Sequence, residues 1–117
     1  MRVQPTIITR GRIYLAPLGT DGAADNNYWL CVSNNIRNPR LDEFIAVRMT
    51  STRKPQLSTW VSLTSQDKPW VSVACDDLGP IWKDQVIKDA GALSAPAMRK
   101  VEQALLRVLG IESPRLR

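Results

Sequence analysis

Residues 44–51 read Phe-Ile-Ala-Val-Arg-Met-Thr-Ser and lead directly into a basic loop. An apolar run of this length, followed by turn-forming residues, predicts a buried β-strand. Residues two apart on a strand share a face, so Arg48 and Thr50 are expected on the same side of the sheet. A guanidinium beside a hydroxyl can bind a phosphate oxygen. The alternatives are that Arg48 faces solvent, or pairs with Asp25 or Glu43, and that Thr50 only ends the strand.

Short strands separated by turn signals are predicted on both sides of this run. They cover residues 10–18, 28–33, 44–50, 59–63 and 70–75, with 82–87 as a candidate sixth strand. Residues 19–27 are small, polar and turn-forming, which predicts a flexible loop. Many short strands at such intervals are typical of a small barrel or a curled sheet.

The end of the chain changes to helical spacing. Apolar side chains recur at positions 98, 101, 105 and 108, a pattern that predicts an amphipathic helix. Ser94 is the expected N-cap and Gly110 the expected C-terminal stop. We expect this helix to pack on the sheet, with a partner-binding helix as the alternative.

Length and composition limit the possible classes of protein. The 117 residues fit one domain, 1–117, with a core over about residues 9–111. No apolar run approaches the roughly 18 residues that a membrane span requires, and the N-terminus lacks the apolar stretch of a signal peptide. Cys31 and Cys75 lie in apolar, strand-like runs and are expected to be buried thiols rather than a disulfide or metal site. We therefore expect a cytoplasmic protein with no membrane association.

The charged residues favour a polyanionic partner. The net charge is +5, and the chain contains no histidine. Without histidine, Ser-His-Asp and Cys-His catalysis and a histidine acid/base pair are excluded. The sequence also lacks a zinc pattern, a calcium loop and a glycine-rich phosphate loop, so no metal or cofactor is predicted. An enzyme with this composition would work with Arg, Lys, Thr, Ser and carboxylates.

Several short motifs occur in a fixed order along the chain. They are Arg-Gly-Arg-Ile-Tyr at 10–14, Leu-Cys-Val-Ser-Asn at 30–34, Val-Arg-Met-Thr-Ser at 47–51, Ser-Val-Ala-Cys-Asp at 72–76, and a helix from Leu93-Ser94 to Leu109-Gly110-Ile111. This ordered set resembles the MazF/PemK family of bacterial toxins. The resemblance implies a mainly β fold with a C-terminal helix, the small SH3-like barrel of MazF, PemK and CcdB. It also implies a toxin of a type II toxin–antitoxin system that forms a homodimer and binds a cognate antitoxin.

The activity implied by the resemblance is metal-independent cleavage of single-stranded RNA, which leaves a 2′,3′-cyclic phosphate and a 5′-hydroxyl. The resemblance assigns a catalytic role to Thr50, together with an arginine before the second strand. That arginine and the proline after it are replaced here by Asn27 and Tyr28, and no Arg or Lys occurs between residues 12 and 37. The family commonly has proline at position 48, so we predict that Arg48 supplies the missing guanidinium.

The predicted RNA-binding residues are polar or charged: Ser51, Arg53, Lys54, Asn26, Asn27 and Asp76. Asp76 matches a family aspartate, for which fixing a loop is the favoured role and acting on a proton the alternative. The four tryptophans can stack on bases where they are exposed, and at least two are expected in the core. The alternative function is a non-catalytic relative, either a CcdB-like DNA gyrase poison or a silent binding module, and the missing loop arginine favours it.

Overall fold

The computed structural model describes residues 7–17 and 26–112. Its elements are β1 (Arg12–Pro17), β2 (Asn26–Cys31), β3 (Glu43–Thr50), β4 (Trp60–Ser62), β5 (Ser72–Trp82), β6 (Lys88–Ala92) and α1 (Ala95–Leu109). Single 3₁₀ turns lie at Asn38–Arg40, Ser65–Asp67 and Lys83–Gln85.

The strands form one antiparallel sheet in the order β4-β5-β3-β2-β1-β6. The apolar run at residues 44–50 lies in β3, between β5 and β2 in the sheet. The mainly β class with a C-terminal helix is confirmed. In the part of the chain that the structure describes, no pairing joins β4 to β6, so the sheet is open rather than a closed barrel. The two edge strands are β4, which has only three residues, and β6, which pairs with β1.

Side chains alternate between the two faces of the sheet along each strand. Both faces carry buried apolar residues. On one face, strand residues pack against the buried side of α1, as in the contact group Ile13, Leu30, Val47, Val73 and Val101. On the other face, Tyr14 and Phe44 meet edge to face, with ring centroids 5.5 Å apart. Trp29, Ala46 and Ile81 belong to the same second cluster. The two clusters hold the central strands from both sides.

The helix begins and ends where the sequence predicts. The Ser94 Oγ accepts a hydrogen bond from the Ala97 N–H at 3.2 Å. The carboxylate of Asp67 accepts from the Ser94 N–H at 2.7 Å and from its hydroxyl at 2.8 Å. Gly110 has φ +70°, the left-handed conformation that favours glycine at a helix end. Because Val101 and Ala104 are fully buried, the prediction that the helix packs on the sheet is confirmed.

The predicted sixth strand at residues 82–87 is wrong. Trp82 ends β5, a 3₁₀ turn follows at Lys83–Gln85, and the sixth strand is Lys88–Ala92. β5 extends past its predicted end at Cys75 because it pairs with β3 again after an irregularity, as far as Glu43 opposite Trp82. The predicted loop at 19–27 lies outside the described residues up to residue 25, and residues 26 and 27 belong to β2.

Both cysteines are free and buried, as predicted. Burial away from water raises the pKa of the Cys31 thiol. It raises the pKa of the Cys75 thiol to about 12. Across residues 7–17 and 26–112, no helix has the length and apolar character needed to cross a membrane.

Candidate active site

A cavity of about 380 Å³ opens where β2 begins, β3 ends and the chain enters β5. Its lining residues are Asn26, Asn27, Tyr28, Arg48, Met49, Thr50, Ser51, Pro69, Trp70 and Val71. Five of the eight predicted site residues are in this set: Arg48, Thr50, Asn26, Asn27 and Ser51. The structure therefore brings together residues from two strands that the sequence separates by more than twenty positions.

Arg48 and Thr50 lie on one wall of the cavity, as the two-residue period of a strand predicts. Both are half-buried, and Thr50 stands opposite Ser72 of β5. The Thr50 Oγ1 accepts a hydrogen bond from the Thr52 N–H at 3.1 Å. A hydroxyl that accepts from the backbone still has its own hydrogen to donate, so the Thr50 hydroxyl can donate to an oxygen bound in the cavity.

Arg48 is held by a carboxylate that the sequence analysis did not name. Its Nε donates to Asp77 Oδ2 at 2.5 Å, and the two side chains are 29% and 46% exposed. Of the two alternative partners, Glu43 pairs instead with Arg37 at 3.0 Å, and Asp25 lies outside the described residues. Two adjacent aspartates inside a run of strand-like residues were the signal that could have indicated Asp77.

A β-bulge brings Asp77 to this position. Val47 stands opposite Leu78, but the next residue, Arg48, stands opposite Ala74. Three residues of β5, 75–77, therefore have no partner on β3. Asp77 directly precedes Leu78, so its carboxylate lies beside Arg48 although the residue is outside the ladder. Bulges commonly redirect a side chain in this way.

The other predicted RNA-binding residues, Arg53, Lys54 and Asp76, do not line the cavity. The Arg53 Nη1 donates to the Leu63 carbonyl at 3.4 Å. The Lys54 ammonium lies 5.0 Å from the centroid of the Trp60 ring, within the range of a cation–π contact. Asp76 is exposed in the bulge. These three charges belong to the surroundings of the cavity rather than to its wall.

Two aromatic side chains, Tyr28 and Trp70, also belong to the lining of the cavity. Tyr28 and Trp70 contact each other edge to face, with ring centroids 5.0 Å apart, and both are half-buried. The prediction that at least two tryptophans are core residues is wrong, because only Trp29 is buried. Trp60, Trp70 and Trp82 lie at or beside strand ends, where neighbouring structure covers only part of each ring.

No group of three His, Cys, Asp or Glu side chains that could hold a metal ion occurs in residues 7–17 and 26–112. The lining includes a guanidinium, three hydroxyls and two side-chain amides, from Arg48, Thr50, Ser51, Tyr28, Asn26 and Asn27. The Asp77 carboxylate lies beside the guanidinium. A guanidinium with hydroxyl donors is suited to an anion, and the aromatic pair is suited to a planar base.

The model of PemK-like, MazF-like toxins of type II toxin–antitoxin systems matches residues 9–109. The chain belongs to this family. The endoribonuclease MazF4 of Mycobacterium tuberculosis is 35% identical to the toxin over 105 residues, which are 90% of this chain and 95% of the relative.

Solved structures agree with this assignment. An endoribonuclease from a mycobacterial species has a TM-score of 0.82 at 31% identity, over 93% of the toxin and 97% of that chain. Another, in complex with its cognate antitoxin, has a TM-score of 0.82 at 33% identity, over 92% of the toxin and 99% of that chain. The expected family and fold class are both confirmed.

Proposed function

We propose that this toxin cleaves single-stranded RNA without a metal ion and leaves a 2′,3′-cyclic phosphate and a 5′-hydroxyl. The observation that carries the proposal is that Arg48 and Thr50, two residues apart on β3, line the same cavity as the aromatic pair Tyr28 and Trp70. The relatives named endoribonuclease support the same reaction class.

In this reaction the RNA supplies its own nucleophile. The 2′-oxygen forms a bond to phosphorus as its proton leaves to solvent, and the 5′-oxygen departs and takes up a proton. Negative charge grows on the non-bridging phosphate oxygens in the transition state. The Arg48 guanidinium and the Thr50 hydroxyl donate to those oxygens, and such preorganised donors are most effective where charge develops. The catalytic roles are therefore charge stabilisation and orientation of the phosphate.

The remaining cavity residues suit the bases beside the cleaved bond. Bases stack on aromatic rings with little dependence on sequence, and Tyr28 and Trp70 provide such rings. The Asn26 and Asn27 amides can donate to and accept from base edges, and the Ser51 hydroxyl lies beside Thr50 to bind the backbone. Different bases would therefore be distinguished mainly at the two asparagines.

The charges outside the cavity act at longer range. We propose that Arg53 and Lys54 attract the RNA backbone on its way into the cavity without contacting the cleaved phosphate. For Asp76 we propose that it fixes the exposed turn of the bulge at the edge of the RNA path. Exposed cations of this kind contribute attraction that salt screens.

We also propose that the toxin, a single domain over residues 1–117, is a cytoplasmic homodimer inhibited by a cognate antitoxin. A relative that is 33% identical has been solved in complex with its cognate antitoxin. Large exposed apolar side chains provide surface that a second copy can cover: Ile36, Leu41, Trp82 and Ile87. Light scattering after size exclusion at micromolar concentration is expected to give twice the chain mass, and a monomer mass alone would contradict the dimer.

The deciding experiment is incubation with a long unstructured RNA in excess EDTA. Discrete fragments are expected, with 5′ ends that polynucleotide kinase labels without prior phosphatase treatment. A variant carrying both Arg48→Ala and Thr50→Ala, purified in the same way, controls for contaminating ribonuclease. Cleavage that requires added magnesium would contradict the proposed chemistry.

The missing loop arginine favours the alternative of a gyrase poison or a silent binding module. A supercoiling assay with purified gyrase separates these alternatives from the nuclease. Inhibition of gyrase by a toxin that leaves RNA intact would establish the poison, and no effect on either target would indicate a binding module.

A further inference from the structure

We propose that Asp77 is a positioning residue, whose carboxylate holds Arg48 through Nε so that both terminal amino groups of the guanidinium face the bound phosphate. The inference rests on the function proposed above, because it concerns how the same site is oriented. Asp77 itself is not expected to touch the RNA.

The first support is the way in which the guanidinium is bound. Arg48 donates from Nε to Asp77 Oδ2, and this is its only side-chain hydrogen bond within residues 7–17 and 26–112. A guanidinium has five N–H donors, one on Nε and four on the terminal nitrogens. The contact therefore fixes the plane and leaves the four terminal donors available on a side chain that lines the cavity.

Arg37 shows the contrasting arrangement in the same protein. Its Nη2 donates to both carboxylate oxygens of Glu43, at 3.0 and 3.1 Å. Its Nη1 donates to the Glu43 carbonyl at 3.4 Å. Both terminal nitrogens are occupied, so this pair joins two segments and leaves little for a ligand. The pair formed by Arg48 and Asp77 orients the arginine without occupying its terminal nitrogens.

The second support is the β-bulge that releases Asp77 from the ladder. The register shift between Val47 and Arg48 leaves residues 75–77 without a partner on β3. The next residue, Leu78, pairs with Val47. Asp77 is thus fixed on its C-terminal side and lies beside Arg48. A bulge disrupts the hydrogen bonds of the ladder locally and can redirect a side chain. Here the redirected side chain is that of Asp77.

The negative charge of Asp77 is expected to affect RNA binding and the cleavage rate in opposite directions. A carboxylate near a phosphate site lowers the attraction for RNA in the ground state, because like charges repel. A residue that improves binding alone would not be negative at this position. Loss of the charge is therefore expected to leave RNA affinity unchanged or stronger while it slows the chemical step.

The test compares Asp77→Asn with the wild-type toxin in single-turnover RNA cleavage with EDTA. Asparagine keeps the size of the side chain and an acceptor oxygen but removes the charge that fixes the guanidinium. We expect the maximal rate to fall about tenfold, less than the roughly hundredfold that a misplacement of 1 Å can cost, with an equal or lower half-saturating RNA concentration. In the Arg48→Ala background the same change is expected to cost less than about twofold, because it acts through the missing side chain.

The chain offers a matched control in Asp89→Asn. Arg12 Nε donates to Asp89 Oδ2 at 2.7 Å, and these side chains are 42% and 39% exposed. The control therefore removes the same charge from the same kind of contact, between β1 and β6 and outside the lining of the cavity. Its cleavage rate is expected to stay within about twofold of wild type, as for surface changes in general.

Each outcome supports or overturns the positioning role. Asp77→Asn cleaving as fast as wild type, or faster, would overturn it, as would an equal loss in the Arg48→Ala background. If Asp77→Asn melts well below wild type, Asp77→Glu, which retains the carboxylate, is measured beside it at a temperature at which both variants are folded. Higher turnover in the glutamate variant than in the asparagine variant supports positioning, and no difference overturns it. A wild-type toxin that leaves RNA intact refutes the proposed function itself, which distinguishes the two failures.

Discussion

The cavity and the basic loop after β3 both contain cations suited to RNA, but these cations differ in how firmly neighbouring groups hold them. In the cavity, Arg48 is fixed by Asp77, and Thr50 lies two residues away on the same wall. In the loop, Arg53 is exposed and its Nη1 donates to a backbone carbonyl at 3.4 Å. Lys54, also exposed, contacts the Trp60 ring. A cation that stabilises a transition state must be held in place, whereas one that attracts a polyanion need only be exposed.

This difference separates rate from affinity. Changes in the cavity are expected to lower the maximal rate, because preorganised donors act mainly on the transition state. Changes in the loop are expected to alter binding and its dependence on salt, because exposed charges act through screened attraction.

The largest effect is expected for Arg48→Ala. Removing one donor from a preorganised site typically costs on the order of a hundredfold in rate, while RNA affinity changes less because the ground-state phosphate carries less charge. Arg48→Lys should recover only part of the rate, since a point charge does not reproduce the planar fork. Single-turnover rates and filter-binding affinities measure the two effects separately. A folded Arg48→Ala toxin with the wild-type rate would contradict a catalytic role for Arg48. Arg53 and Lys54 would then be tested as the catalytic cations.

Trp70→Ala tests the aromatic pair and should weaken RNA binding about tenfold, within the about 1–3 kcal/mol that stacking of one base contributes. Trp70→Phe keeps a ring and is the matched control, expected to retain most of the affinity. Because Trp70 also packs beside the core, thermal melting must accompany the binding measurement. Equal affinity in the alanine and wild-type proteins would show that no base stacks here.

The loop is tested by Arg53→Ala and Lys54→Ala. Each should weaken binding only a few fold at moderate salt and reduce the slope of log affinity against log salt by about one at most, with an unchanged maximal rate. Arg99→Ala, which removes an exposed cation from α1, should leave the slope unchanged. A strong loss of maximal rate in either loop variant would assign the chemistry to the loop.

The smallest effect is expected when Thr50→Ala is added to Arg48→Ala. Residues that act on one phosphate as a unit are non-additive, so the second change should lower the rate by less than about threefold. The matched comparison is Thr50→Ala alone, where the loss should be substantial. Equal losses in the two backgrounds would mean that the guanidinium and the hydroxyl work independently.

Local rules predicted what depends on neighbouring residues. The cap at Ser94 and the stop at Gly110 gave the helix limits to within one residue, because both signals act inside a single turn. Period-two alternation placed Arg48 and Thr50 on one face for the same reason. The contact of Arg48 with Asp77 joins residues 29 apart and depends on the register of β3 with β5, which no local pattern specifies. The extension of β5 and the open edge of the sheet were not predicted either, because both depend on pairing between strands that are distant in sequence.

The burial of the two cysteines makes them a natural reporter of unfolding. The thiolate is the form that reacts with alkylating reagents and oxidants, and with a pKa of about 12 the Cys75 thiol stays protonated at neutral pH. Cys31 is also buried, with a raised pKa. Labelling of either thiol therefore requires the sheet to open first. Its rate under native conditions would measure how often the central strands separate, and mild oxidants would leave both thiols of the folded protein unmodified.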